Sequence, residues 1–288
     1  MGVEATGKFD EIIERFVRWA AADGEVLAAL MIGSQARADH PADECSDLDL
    51  MLFVKESEHF LRKDEWLQAI GPYHISFIER TLGGYSERRV LFEGALDVDF
   101  VICPQEAVQN LPWREMSGIL ARGYRVLVDK AGLGEKLKRA PEEEPVALMG
   151  AEEFQNLVGD FWYHAVWIAK KLVRGELFTA VACLNGYMQW RLLAMIEGLA
   201  RAIHGTDYDT WHSGRFMEEW AEPWIVERMA GCWSGYGEKD AKRALMNIMG
   251  LFREVSSDLA NRRHFVFRFE AECYATEWVK RLLEVKMG

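Results

Sequence analysis

Gly33-Ser34-Gln35-Ala36-Arg37, followed after a short excursion by Ser46-Asp47-Leu48-Asp49, is the stretch that decides how this chain is read. An apolar run from Val26 to Ile32 leads into the first half, and a second run, Leu48 to Val54, grows out of the other. Both halves therefore sit at strand ends. Side chains two apart on a strand share a face, so Asp47 and Asp49 converge on one point. Two carboxylates held that close repel each other unless a cation lies between them. Magnesium suits the position, because it takes oxygen ligands from one or two carboxylates and fills the rest of its shell with water and substrate phosphates, such as those of a nucleoside triphosphate. At the end of the preceding strand, Gly33 lets backbone approach a ligand closely, and the Ser34 hydroxyl with its neighbouring amides offers donors to phosphate oxygens. Arg37, closing the same turn, joins Gly33 and Ser34 as a candidate nucleotide-binding residue.

A third carboxylate is needed to complete a two-metal site or to take a proton from an attacking hydroxyl. Asp97-Val98-Asp99-Phe100 supplies it on a predicted strand from Leu96 to Ile102, with Asp99 preferred. An isolated Asp-x-Asp is common, and glycosyltransferases use one to hold a metal against a sugar-nucleotide diphosphate. A Gly-Ser turn alone is weaker still. The conjunction discriminates: strand, Gly-Ser, excursion, Asp-x-Asp strand and a later Asp-bearing strand arrive in one order.

Outward from this stretch, Phe9, Ile12, Ile13, Phe16, Val17 and Ala20 recur at helical spacing and predict an amphipathic helix ending near Asp23-Gly24. A further helix is expected from Ser57 to Ala69, then strands at Ile75 to Ile78, Arg88 to Phe92 and Leu96 to Ile102, and a short one at Tyr124 to Val128. Beyond the charged, proline-bearing stretch Lys136 to Pro145 the character changes. Long segments rich in helix formers follow: Glu152 to Arg174, Phe178 to His204, Pro223 to Trp233, Lys239 to Asn261 and Phe269 to Val285. The expected organisation is α+β, with an αβ domain containing a mixed sheet over 1–137, a linker over 138–150 and an all-helical domain over 151–288.

Half of the 288 residues are hydrophobic, enough for a buried core without staples. The five cysteines are scattered and odd in number, without the paired spacing of a zinc site or disulfide framework. A formal net charge of −12 disfavours nucleic acid as a partner, which calls for a basic footprint, and suits a small cationic acceptor. No apolar run is long enough to cross a bilayer and the N-terminus does not read as a signal peptide, so the expectation is a cytoplasmic protein with no membrane partner. No motif reports an oligomeric state.

The chain resembles the aminoglycoside 6-adenylyltransferases, streptomycin-modifying enzymes of the nucleotidyltransferase (DNA polymerase β-like) superfamily. The resemblance is carried by Gly33-Ser34, Asp47-Leu48-Asp49, Leu91-Phe92-Glu93, Val98-Asp99-Phe100 with Pro104, and the stretch from Asp160-Phe161-Trp162-Tyr163 through Lys170, Arg174, Phe178, Leu184-Asn185 and Arg191-Leu192-Leu193. It implies a nucleotidyltransferase domain followed by a helical substrate-binding domain, with ATP and the aminoglycoside meeting in the cleft between them. It also implies AMP transfer to a hydroxyl, the 6-position of a streptomycin-like acceptor, with pyrophosphate released. Asp47, Asp49 and Asp99 match the family's metal-binding carboxylates, and Gly33 and Ser34 its phosphate-binding turn. Glu93 is a second candidate base. Lys170 and Arg174 share a helix face and are read either as contacts to the triphosphate or as a solvated basic face. The chain departs from the family pattern at Ala182-Cys183, where streptomycin-modifying members carry an acidic residue, and at Trp211-His212-Ser213-Gly214-Arg215, where they carry a lysine-bearing glycine turn. These departures leave a lincosamide, another aminoglycoside or a protein side chain open as acceptor. A non-catalytic nucleotide-binding or antitoxin-like module is the remaining alternative.

Overall fold

The computed structural model describes residues 7–81, 84–110, 118–138, 148–267 and 269–284. The chain divides into two compact units, Met1–Glu144 and Pro145–Gly288. Most of the expected linker, 139–147, lies outside the described residues.

The first unit is built on a six-stranded mixed sheet. Its strands are β1 (Val26–Ile32), β2 (Leu48–Val54), β3 (Tyr73–Arg80), β4 (Ser86–Phe92), β5 (Leu96–Pro104) and β6 (Arg125–Asp129), in the spatial order β3-β4-β5-β2-β1-β6. Neighbours pair antiparallel except β2 and β5, which run parallel. β1 and β2 occupy the residues expected from their apolar runs, because both are central strands whose burial on two faces leaves an uninterrupted hydrophobic signal. One face is covered by α1 (Asp10–Ala22) and α2 (Ser57–Arg62) over a core that includes Phe16, Phe60, Trp66, Phe92 and Phe100. Aromatic rings interlock there, Trp66 meeting Phe100 edge-on at 5.0 Å and Trp19 stacking on Trp66 at 4.9 Å. On the opposite face a smaller core of Leu30, Phe53, Cys103 and Val108 underlies α3 (Glu106–Gln109) and α4 (Leu133–Leu137).

The helix expected over 57–69 is instead two pieces, α2 and a 3-10 segment, Glu65–Ala69. The break has a cause in the sheet. Buried Arg88 of β4 donates from Nε to the Phe60 carbonyl at 3.1 Å and from Nη2 to that of Leu61, and the Trp66 indole donates to Lys63 O at 3.1 Å. These groups take up carbonyls that a continuing helix would have used.

The second unit is helical: α5 (Ala151–Val173), α6 (Leu177–Ala182), α7 (Gln189–His204), α8 (Met217–Trp220), α9 (Pro223–Met229), α10 (Glu238–Arg263) and α11 (Phe269–Glu284). Its core is one continuous cluster drawn chiefly from α5, α7 and α10, with Phe161 stacked on Phe252 at 3.6 Å. The helix expected from Phe178 to His204 widens into a π-helical segment, Cys183–Met188. Asn185 lies in that segment and is bonded on both sides to the Ser234 backbone, donating to its carbonyl at 2.7 Å and accepting from its amide at 2.9 Å. The widened turn also presents Tyr187 to Asp160 of α5, to which its hydroxyl donates at 2.8 Å. Among the described residues, no helix is long and apolar enough to cross a membrane.

Phe252→Ala should remove the stacked partner of Phe161 and destabilise the protein by about 3–5 kcal/mol. Urea unfolding of the two proteins measures it; a loss below about 1 kcal/mol would mean that this stack is not a core contact.

Candidate active site

The register of the sheet brings the acidic residues together. Asp49 of β2 lies directly opposite Asp99 of β5, and Asp99 in turn lies opposite Arg89 of β4. Opposed residues project on the same face, so the row is a line of charged groups across three strands. Asp47, just ahead of β2, completes the group: one oxygen from each of Asp47, Asp49 and Asp99 lies within 4.8 Å of the others. Each carboxylate is partly buried.

Gly33 sits against this cluster. Its φ is +69°, in the left-handed region that favours glycine, and a Cβ there would fall 2.0 Å from Asp49 Oδ2. No side chain fits while Asp49 keeps its position. Ser34 is buried, and its Oγ has no hydrogen-bond partner. An orphaned buried hydroxyl is costly unless a ligand or water completes it. Gln35 Nε2 donates to the Asp47 carbonyl at 3.3 Å, tying the turn to the start of β2.

Arg89 is the charged residue that sequence reasoning missed. Its Nε lies 2.7 Å from Glu87 and 3.2 Å from Glu79, and Nη2 lies 3.5 Å from Asp99 Oδ2. The signal was present in the hairpin. The three-residue loop Glu93-Gly94-Ala95, with Gly94 and Ala95 at positive φ, closes on the pair Phe92 and Leu96, and counting back from that pair sets Arg89 opposite Asp99.

Other candidates stand elsewhere. Asp97 is exposed, two residues from Asp99, and is not part of the three-carboxylate group. Glu93 is exposed and paired with His74 Nε2 at 2.8 Å. Arg37 spends its Nε on the carbonyls of Asp39 and His40, at 3.0 and 2.8 Å, and so braces the excursion between the two motif halves. Lys170 is exposed on α5 in the second unit, while Arg174 is paired with Glu176. Asp160, which carries part of the family pattern, is held by Tyr187, by His164 Nδ1 at 2.8 Å and by Arg191 Nε at 2.8 Å. The turn that departs from the pattern holds Trp211, Ser213 and Gly214 at positive φ.

Burial pushes the Asp99 carboxyl up to about 6; the Arg89 guanidinium opposes this, and the charges of Glu87, Asp47 and Asp97 add to it. Three carboxylates, a turn with no room for a Cβ and an unpartnered hydroxyl together fit a magnesium ion and a phosphate-bearing ligand. The donors are hard oxygens, and the negative charge they carry calls for a cation.

Comparison with known proteins gives the family. Residues 8–282 match the family described as Streptomycin adenylyltransferase. The chain belongs to it. Membership makes this protein a nucleotidyltransferase enzyme, as the motifs implied. An aminoglycoside 6-adenylyltransferase of Bacillus subtilis (strain 168) is 23% identical over 254 residues, covering 85% of this chain and 88% of the relative. One of Campylobacter jejuni is 22% identical over 266 residues, 87% of each. A crystal structure of an aminoglycoside 6-adenyltransferase from Bacillus subtilis aligns over 94% of this chain and 97% of its own, with 18% identity and a TM-score of 0.46.

A carboxyl whose folded pKa lies above its unfolded value of about 3.9 destabilises the fold once ionised. In the metal-free protein that penalty is absent below about pH 4, grows between about pH 4 and 6, and is complete above. Asp99→Asn should therefore raise stability at pH 8 by on the order of 1–2 kcal/mol, a gain that disappears by pH 4. Calorimetry in the presence of chelator reads this, and a variant less stable than the parent at pH 8 would contradict it.

Proposed function

We propose that this enzyme transfers AMP from ATP to a hydroxyl of an aminoglycoside, the 6-position of a streptomycin-like acceptor, with release of pyrophosphate. The observation that carries the reading is the meeting of Asp47, Asp49 and Asp99 within 4.8 Å against a turn that excludes any side chain. Family membership and the names of the relatives support it. The first unit would supply the transfer chemistry, and the helical unit would contribute to acceptor binding.

Asp47, Asp49 and Asp99 would hold magnesium, which when bound draws negative charge off the triphosphate and organises it for displacement. Gly33 lets the Asp49 carboxylate lie against the backbone of the turn, and the unpartnered Ser34 hydroxyl donates to a phosphate oxygen. Arg37 keeps the loop behind the turn in place. Asp99, placed beside the acceptor hydroxyl, takes its proton as the hydroxyl oxygen bonds to the α-phosphorus. The bond from that phosphorus to the bridging oxygen breaks, and pyrophosphate leaves. Lys170 is assigned to the phosphates of the donor. An acidic protein surface favours the approach of a polycationic acceptor over that of a nucleic acid.

Pyrophosphate release from ATP and magnesium should require an aminoglycoside and be greatest with streptomycin in a panel that includes other aminoglycosides and lincosamides. In Asp49→Asn it should fall at least about a hundredfold. Release with a lincosamide alone would move the acceptor assignment, and release unaffected in the variant would remove the site assignment. Separately, Lys170→Ala should weaken ATP binding a few-fold in calorimetry while acceptor binding holds; unchanged ATP affinity would return Lys170 to the solvated basic face.

A further inference from the structure

The row that carries Asp49, Asp99 and Arg89 does not stop at β4. Arg89 lies opposite Phe77 of β3, and in the next row Asp97 lies opposite Leu91, which lies opposite Ile75. Direct opposition keeps each row on one face, so Phe77 and Ile75 stand on the same face of the sheet as the carboxylate cluster. Adjacent strands are about 4.8 Å apart, which sets Phe77 roughly 10 Å from Asp99 along the row. Both side chains are open, Phe77 at 49% and Ile75 at 53% of full exposure.

Large apolar side chains this exposed at an edge strand are an aggregation hazard that folds ordinarily blunt with charge or cover. Here they adjoin the proposed reaction centre. The charge around them is net negative: Glu79, Glu87, Asp97 and Asp99 share this face with one cation, Arg89, which bridges three of them. Asp97 has no ion-pair partner among the described residues. An apolar floor bordered by surplus carboxylates matches a molecule with C–H faces and several positive charges, which is the chemistry of an aminosugar.

Resting on the adenylyl-transfer reading above, we propose that Phe77, Ile75 and Asp97 form the acceptor platform and determine specificity. A sugar ring of the acceptor lies with its C–H face on Phe77 and Ile75, and an ammonium or guanidinium group pairs with Asp97. The opposite end of the acceptor then reaches over Arg89 to present its hydroxyl at Asp99. An acceptor that spans the roughly 10 Å from Phe77 to Asp99 and carries a cationic group is selected, whereas the nucleotide is held at the Gly33-Ser34 end of the row and does not touch the platform.

The test uses the full-length enzyme with streptomycin as probe, in Phe77→Ala, in Asp97→Asn and in Ile78→Ala, whose exposed side chain lies on the other face of the same strand. Calorimetric affinity and KM for streptomycin should weaken about tenfold in Phe77→Ala and several-fold in Asp97→Asn, with kcat and KM for ATP within about twofold of the parent. Ile78→Ala should leave all three unchanged. Added salt should weaken streptomycin binding less steeply in Asp97→Asn than in the parent. If the parent turns over streptomycin and both platform variants keep its affinity, the platform is wrong and the transfer reading stands. Streptomycin bound but not adenylylated by the parent, with weaker binding in the variants, keeps the platform and sinks the transfer reading. A parent that does not bind streptomycin overturns the platform as stated.

Discussion

Three carboxylates forced toward one point repel one another, and the first unit is organised around holding them there. The parallel pairing of β2 with β5 sets Asp49 beside Asp99 with no freedom to relax along the strands. Beneath them, on the other face of the same two strands, Leu48, Leu50, Val98 and Phe100 are buried against α1, α2 and the Trp66 ring. That apolar core opposes the repulsion above it, since each large side chain contributes about 1.5–3 kcal/mol on burial. Burial first, and then the charges of Glu87, Asp47 and Asp97, raise the Asp99 carboxyl against the opposing Arg89 guanidinium: the sheet holds the group where its charged form is disfavoured. A charge cluster of this kind is retained at a cost in stability.

Arg89 tempers the arrangement without cancelling it. Its guanidinium touches Glu79, Glu87 and Asp99 together, so its single charge is divided among three acceptors on the open face. At 3.5 Å and partly solvated, the contact with Asp99 is weaker than a buried bidentate pair and leaves that carboxylate able to exchange partners. Gly33 works by the opposite means, through absence of bulk. Attraction on one side and the missing side chain on the other let Asp49 and Asp99 keep their places in the row.

Much of this was legible in the sequence, for identifiable reasons. β1 and β2 are central and buried on both faces, so their apolar runs mark their ends, and Gly33-Ser34 and Asp47-Leu48-Asp49 fall at those ends by position alone. β3 runs beyond the expected Ile75 to Ile78 at both ends, because His74, Glu79 and Arg80 are exposed and polar and show no alternation. The break after α2 was invisible because its cause, Arg88, lies 26 residues away from Arg62 in sequence but against the helix end in space. The π-helical segment at Cys183–Met188 was hidden likewise, since its composition suits an ordinary helix and its cause is a tertiary bond from Asn185 to Ser234. Arg89 was readable only through pairing register, which depends on the turn type and not on the residue itself. Periodicity shows what an element buries; it is silent on which distant group ends it.

The parallel contact between β2 and β5 has a consequence for the order in which the molecule comes together. β3, β4 and β5 are joined by short connections and pair locally, whereas β2 and β5 are neighbours only after the whole β3–β4 hairpin has been laid out between them in sequence. Local pairings close quickly, and distant ones wait for the loop entropy to be met by other contacts. The seam that brings Asp49 against Asp99 therefore closes after the local β3–β4–β5 pairings. Repulsion enters only once the local register of β3, β4 and β5 is in place, so the chemistry of the site does not obstruct those first pairings.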